Sequence, residues 1–208
     1  TILFVYSCEK NPLKPENIFT RIYDDKNSDI SYYPLDIAEI EGNGYFILGA
    51  TAIDTTRTWL NTYIGKTDKE GKLEWSVTLE RPYMNPVSNL IFSGGEYYVF
   101  CMDDIALSTH VLRIDIAGKT AVHVKTFDDI IYPLAVSKTP DNGFLLLNYD
   151  RSSRSTRLSK ISPSLDLGWQ SDFRVNEDIE GILVEHLIKT GKNIPFFTGS
   201  IGSSNATH

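Results

Sequence analysis

The side chains that most often perform catalysis or bind metals are scattered along this sequence. Its four histidines are at least 13 residues apart and form neither H-x-x-x-H nor H-E-x-x-H: His110, His123, His186 and His208. A zinc hydrolase therefore lacks its usual pair of ligands. The sequence also contains no G-x-S-x-G motif and no phosphate-binding glycine loop. We expect no catalytic residue here, and we expect His110 and His123 at the surface or at a strand edge.

Closely spaced carboxylates are the other candidates for chemistry. The run 25–29 has the D-x-N-x-D spacing that can offer oxygen ligands to calcium, but Ile30 follows where a calcium loop needs glycine. The pair Asp128-Asp129 has the residue types of a glycoside-cleaving site. Acid pairs at strand ends are more often solvated turns. We therefore expect no metal and no other cofactor.

Composition excludes several classes of protein. The chain has 208 residues and a formal net charge of −7, which argues against a nucleic-acid binder. With 41% hydrophobic and 12% aromatic residues, it is too apolar to be disordered. It contains no run of 18 apolar residues, so no membrane-spanning helix is expected.

The first eight residues form an apolar run that ends in Ser7 and Cys8. This run resembles the end of a bacterial lipoprotein signal peptide, in which the cysteine is lipidated. The resemblance implies a truncated signal at 1–8, a polar tether at 9–17, and a lipid anchor on Cys8 in a bacterial envelope. The anchor would hold the protein at the outer membrane, on its periplasmic or surface face. The alternative is a short strand with a free cysteine.

Three segments of the chain align at regular offsets, which indicates an internal repeat. Pro34, Pro86 and Pro133 follow one another after 52 and 47 residues. The same two offsets separate a second set of anchors: Tyr45, Tyr97 and Phe144. A fourth unit begins at Gly181 and is about half complete. Each unit is predicted to form four strands, the second of them apolar enough to be covered on both faces.

Four short strands that recur every 47–52 residues are typical of a β-propeller blade. We therefore predict an all-β propeller of four-stranded antiparallel blades, with about three and a half blades present. The run 63–75 resembles the repeat of quinoprotein-like (PQQ-repeat) and YncE-like propellers, with an acidic turn at Asp68, a Gly-Lys step and then Trp75. That resemblance implies that Trp75 and its counterpart Trp169 pack between blades. A lipidated propeller is also similar to lipoproteins of Bacteroidetes-type bacteria.

The predicted blades set the domain boundaries. Complete blades are expected at 31–80, 86–127 and 133–175, and a partial blade at 181–201. Residues 18–25 match the outer strand of later units, so we expect them to close the ring by completing the last blade. Because a ring of six to eight blades needs about 300–400 residues, the sequence is expected to be an N-terminal fragment. A four-bladed ring is the alternative.

The loops between successive blades and between the second and third strands of each blade must lie at one end of a propeller. Aromatic and charged side chains in these loops suit a glycan or peptide ligand. The candidate ligand-face residues are Tyr33, Asp54, Arg57, Trp59, Asp103, Asp104, Tyr132, Arg151 and Arg154. A second interpretation, which the residue types favour, is that Tyr33-Pro34 and Tyr132-Pro133 only stiffen the junctions between blades.

These observations predict a non-catalytic binding or scaffold propeller in a bacterial envelope lipoprotein. Its partner is expected to be an envelope protein, a peptide or a glycan, and not a nucleic acid. One alternative is a carbohydrate-active or other hydrolytic propeller with carboxylates supplied by several blades. Another is a PQQ-dependent dehydrogenase, which needs a Trp in most blades, whereas the second unit has Val122 at that position.

Overall fold

A computed structural model describes residues 23, 30–52, 59–87, 89–150, 155–173, 179–189 and 195–203. The first blade contains β1 (Ser31–Ile40), β2 (Gly44–Ala52), β3 (Asn61–Thr67) and β4 (Leu73–Met84). The second contains β5 (Ile91–Ser93), β6 (Glu96–Met102), β7 (Ser108–Asp115) and β8 (Thr120–Ile131). The third contains β9 (Pro133–Lys138), β10 (Phe144–Asp150), β11 (Ser155–Ile161) and β12 (Leu167–Phe173). The pair β13 (Ile179–Lys189) and β14 (Pro195–Ser203) follows.

Within each blade, strands that are consecutive in sequence pair antiparallel in the same order. The first two blades are joined by one further pair, Met84 with Met102, so that they form a continuous eight-stranded sheet. The strands β9–β12 form a separate four-stranded sheet, and β13 pairs with β14. The described residues contain no helix, and thus none that could span a membrane. The predicted fold class, a propeller of four-stranded antiparallel blades, is confirmed.

Alternate residues of each blade contribute to different hydrophobic cores, because successive side chains of a strand point to opposite faces. On β6, Val99 and Cys101 belong to the core between the first and second blades, whereas Phe100 belongs to the core between the second and third. On β10, Phe144 shares that second core, and Leu145 packs on the opposite face of the third blade. This explains why the second strand of each repeat reads as a continuous apolar run.

In the turn between the third and fourth strands of each complete blade, a side-chain oxygen accepts from a backbone amide three or four residues later. The Asp68 carboxylate accepts from the Lys72 amide at 2.7 Å, and the Asp115 carboxylate accepts from the Gly118 amide at 2.9 Å. In the third blade, the Ser162 hydroxyl oxygen accepts from an amide at 3.0 Å. Ser162 therefore replaces the acid of the repeat without loss of the turn, since either side chain can cap a turn amide.

The first strand of the second blade begins later than its repeat anchor Pro86 suggests. β5 starts at Ile91 because the preceding loop bonds to both neighbouring blades. The Leu90 backbone amide donates to the Asp36 carboxylate of the first blade at 2.8 Å. The Asn89 side-chain amide donates to the Val136 backbone carbonyl of the third blade at 2.7 Å. These bonds join the loop before β5 to β1 of the first blade and to β9 of the third.

Most of the predicted N-terminal features lie outside the described residues. The signal at 1–8, its Cys8 and the tether at 9–17 are among them, as is the D-x-N-x-D run at 25–29. Of the strand predicted at 18–25, only Tyr23 is described, and its hydroxyl donates to the Gly71 carbonyl of the first blade. Closure of the ring by this segment stays a prediction.

Candidate functional site

One end of the blades carries the β2–β3 and β6–β7 loops together with the junctions β4–β5 and β8–β9. We call it the ligand end, because four of the predicted ligand-face residues lie there: Trp59, Asp103, Asp104 and Tyr132. Its described parts are Trp59 and Leu60, the loop 103–107, the junction 85–90 without residue 88, and Tyr132. The opposite end carries the acid-capped turns.

Two of the predicted residues meet at the ligand end. The Trp59 and Tyr132 rings have centroids 6.5 Å apart and an interplanar angle of 25°. Trp59 comes from the β2–β3 loop of the first blade, whereas Tyr132 joins the second blade to the third. Both side chains are half-buried. The pair therefore connects parts of three blades and presents aromatic surface at their common end.

The backbone at both aromatic residues is held by neighbouring hydrogen bonds. Tyr132 has φ = 49°, a left-handed conformation that is unusual for a residue before proline. Such a conformation costs about 1–3 kcal/mol and persists where the surroundings enforce it. The Tyr132 carbonyl accepts from the Tyr149 amide at 3.1 Å. Beside Trp59, the Leu60 amide donates to the Asn85 side chain at 2.8 Å, and the Asn85 amide donates to the Leu60 carbonyl at 2.7 Å.

The two predicted acids of the ligand end make structural contacts. The Asp103 carboxylate accepts from the Ile105 amide at 2.7 Å and from the Ala106 amide at 3.1 Å, which closes the β6–β7 loop. Asp104 forms an ion pair with Arg81 of the first blade, and its side chain is only 4% exposed. The other carboxylate oxygen of Asp104, Oδ1, is buried and has no hydrogen-bond partner among the described residues. Both acids thus shape the loop and its contact with the neighbouring blade.

Of the remaining predicted ligand-face residues, only Tyr33 is described, and it lies on β1 away from this pair. Tyr33 is 39% exposed on β1, next to Tyr32, whose ring packs edge-on against Tyr63 at 5.2 Å. The other four fall outside the described residues: Asp54, Arg57, Arg151 and Arg154. Within the described ranges, no group of three His, Cys, Asp or Glu side chains is placed to hold a metal ion.

The two tryptophans expected between blades have different surroundings. Trp75 packs against the core shared by the first and second blades, with its ring 6.2 Å from Phe46 and at 64° to it. Trp169, at the equivalent position of the third blade, is 52% exposed. The two indoles therefore differ in exposure, and packing between blades as a role of the repeat stays a prediction.

A cluster that the sequence did not predict lies between the first and second blades. The prediction that both histidines lie at the surface or at a strand edge is wrong for His110, which is 8% exposed on a strand paired on both sides, whereas His123 is exposed. The strand that carries His110, β7, pairs on both edges, and the Tyr83 ring of β4 covers the His110 ring edge-on at 5.4 Å. Burial lowers the pKa of His110, and the neighbouring His123 lowers it further.

A repeated basic position was also missed. Lys66, Arg113 and Lys160 follow one another at 47-residue steps on the third strand of each blade. The Lys66 ammonium is paired with a glutamate of the next strand, and the Lys160 ammonium lies 2.9 Å from both oxygens of Asp141. The Thr139 hydroxyl and the Lys160 ammonium lower the pKa of Asp141 to about 2. The Lys66 ammonium also donates to the Asn43 carbonyl at 3.3 Å, so both lysines hold turns at the end opposite to the ligand end.

Comparisons with known proteins add evidence on the fold. No protein-family model matches the sequence, and no curated protein is significantly similar to it. Among solved structures, the chain is similar to the exo-β-1,3-galactanase from Phanerochaete chrysosporium, crystallised with β-1,3-galactotriose, with a TM-score of 0.52 and 12% identity. The match covers 76% of this chain but only 39% of the galactanase chain. The galactanase fold is a five-bladed β-propeller, and at this identity the likeness concerns the fold alone.

Proposed function

We propose that this protein is a non-catalytic binding propeller that recognises a glycan at its ligand end. The observation that carries the proposal is the contact between Trp59 and Tyr132, two aromatic residues 73 positions apart whose rings meet at 6.5 Å. Aromatic faces with a polar edge suit ligands that have both apolar and hydroxyl-bearing surfaces, as sugar rings do.

The charges of the ligand end favour a neutral ligand. Asp104 is neutralised by Arg81, and Asp103 is occupied by two backbone amides. Because the Asp103 carboxylate and one oxygen of Asp104 are engaged within the protein, the aromatic pair is favoured over these acids as the recognition surface. A peptide ligand is the alternative, and it would be expected to use the charged side chains instead.

The setting of this binding module is proposed from the N-terminal resemblance. A lipid on Cys8 would tether the propeller to a bacterial envelope membrane, where glycans and envelope proteins are available. Radiolabelled palmitate should be incorporated by cells that express the complete gene and should be lost in Cys8→Ala. Label retained by this variant would contradict the anchor and would leave the binding proposal unaffected.

A hydrolytic propeller is the second candidate, because the similar solved structure is a carbohydrate-active enzyme. Glycoside cleavage needs two carboxyl groups about 5–10 Å apart on either side of the scissile bond. The adjacent Asp103 and Asp104 have other partners, so the acids of such a site would come from other blades. The PQQ-dependent alternative is supported only by the resemblance of the run 63–75 to that repeat.

Titration calorimetry with neutral oligosaccharides, β-1,3-galactotriose among them, tests the main proposal. In Trp59→Ala, we expect the affinity for a bound glycan to fall about 30-fold, as for a binding hot spot worth about 2 kcal/mol. The matched control is Trp169→Ala, which removes an exposed indole elsewhere and should bind like the wild type. Equal losses in both variants would contradict the proposed site, and release of shorter sugars would favour the enzyme.

A further inference from the structure

Tyr83, His110 and His123 form a compact ring cluster where the first blade meets the second. The Tyr83 ring lies edge-on to His110 at 5.4 Å and is stacked on His123 at 6.0 Å. The two imidazole centroids are 5.3 Å apart. Because His123 is exposed and His110 is buried, the two rings differ in their access to water. A charge is therefore more easily accommodated on His123.

A hydrogen-bond chain links these rings to the ligand end. The Thr126 hydroxyl oxygen lies 2.8 Å from His123 Nε2 and 3.1 Å from His110 Nδ1. The other nitrogen of His110, Nε2, lies 3.4 Å from the Ser108 hydroxyl oxygen. The Ser108 carbonyl accepts from the Asp103 amide at 2.9 Å, which closes the β6–β7 loop. The chain thus runs from an exposed ring on β8 to the base of a ligand-end loop.

The chain can have only one direction at a time, because a hydroxyl group carries a single proton. When His123 is neutral and its Nε2 accepts, Thr126 donates to it and accepts from the Nδ1–H of His110. The Nε2 of His110 then accepts from Ser108. When His123 is protonated, its Nε2–H donates to Thr126, and the Thr126 proton turns to His110 Nδ1. His110 then carries its proton on Nε2 and donates to Ser108.

In this reversal, the pair of rings gains one proton, which His123 carries, and His110 changes tautomer but stays neutral. Titratable groups face the His110 ring from every element packed against it: Tyr83 of β4, Cys101 of β6, Asp103 of the loop, and His123 and Asp128 of β8. Burial and then His123 lower the pKa of His110, against the opposing effect of Asp103 and Asp128. A second proton on His110 would also place two cations 5.3 Å apart.

We propose that Ser108, His110, Thr126 and His123 form a proton-sensitive relay between the outer surface of the second blade and the ligand end. Protonation of His123 reverses the hydrogen bond at Ser108, which changes from a donor to an acceptor. The β6–β7 loop that carries Asp103 and Asp104 begins and ends at this point. The reversal thus reaches the residue that begins β7 and whose carbonyl closes the β6–β7 loop. The relay is independent of which ligand the loop binds.

Nitrogen NMR of the full chain labelled with ¹⁵N-histidine tests this relay, because Nδ1 and Nε2 report directly which nitrogen carries the proton. In samples whose ¹⁵N signals show that His123 carries a proton on both nitrogens, His110 should have exchanged its Nδ1–H signal for an Nε2–H signal and should still be neutral. In Thr126→Val, which keeps the shape but removes the hydroxyl, the exchange should disappear. The matched variant Thr126→Ser restores the hydroxyl and should restore the exchange.

Two results would overturn the proposal. One is a His110 tautomer that is the same before and after His123 titrates. The other is a tautomer exchange that persists in Thr126→Val. If this variant fails to fold, His123→Ala serves the same purpose, because it removes the ring that starts the relay. The tautomer of His110 should then be constant over the same pH range, and a pH-dependent tautomer in His123→Ala would contradict the relay.

Discussion

Removal of the Phe144 ring should strongly destabilise the contact between the second and third blades. Phe144 is 1% exposed, and its ring packs edge-on against Tyr98 at 5.2 Å and against Phe100 at 5.3 Å. A buried Phe→Ala change costs about 3–5 kcal/mol, and the loss of two favourable aromatic pairs places Phe144 in the upper part of that range. We therefore expect a loss of about 4–5 kcal/mol in Phe144→Ala. That is a large part of the stability of an ordinary domain.

Urea unfolding followed by circular dichroism measures this loss as a change in the unfolding free energy. Phe92→Ala is the matched control, because Phe92 is 50% exposed on the neighbouring β5 and should cost far less. The double variant with Phe100→Ala should show a coupling of about 1 kcal/mol, as expected for side chains in contact. Equal losses in Phe144→Ala and Phe92→Ala, or additive losses in the double variant, would refute the proposed packing between blades.

Two further changes test single contacts. The buried Thr109 hydroxyl donates to the Ile130 carbonyl at 2.6 Å, so Thr109→Val should lower the unfolding free energy by about 1–3 kcal/mol, and Thr109→Ser should recover most of it. The pKa of Asp141 is lowered to about 2, below the value of about 3.9 expected in an unfolded chain. The ionised Asp141 carboxylate therefore stabilises the fold fully above about pH 4, and this contribution declines as pH falls toward 2. Unfolding measured between pH 6 and pH 2 should therefore show a smaller loss in Asp141→Asn than in the wild type, and parallel curves would contradict this assignment.

The strands could be predicted from sequence because each is marked by residues close to one another in the chain. The apolar run that begins at Phe144 indicates a strand covered on both faces, and its alternate residues do enter two cores. The contact between Trp59 and Tyr132 was harder to foresee, since it depends on how three blades stack. Local spacing predicts that both residues lie at one end, but not that their rings meet.

The burial of His110 shows where sequence patterns fail. The β3–β4 pairing passes from Leu79 directly to Met84, so four residues of β4 lie outside the regular register. This excursion carries Tyr83 across to the second blade, where it covers His110. No periodic pattern encodes such an excursion. By contrast, the 47-residue spacing of Lys66, Arg113 and Lys160 is visible in the sequence and could have been used to find these three side chains, each of which forms an ion pair.

The division of each strand between two cores has a consequence for the evolution of this protein. Val99 and Phe100 are neighbours in the chain, yet Val99 shares a core with Phe46 and Phe100 shares one with Phe144. Compensating substitutions should therefore link residues about 50 positions apart, and should rarely link adjacent ones. Duplication or deletion of a blade would leave the hydrogen bonds within the other blades intact. It would, however, bring together two faces whose side chains were not selected to pack against each other. Growth or shortening of the ring by whole blades thus requires adjustment of both faces at the new junction.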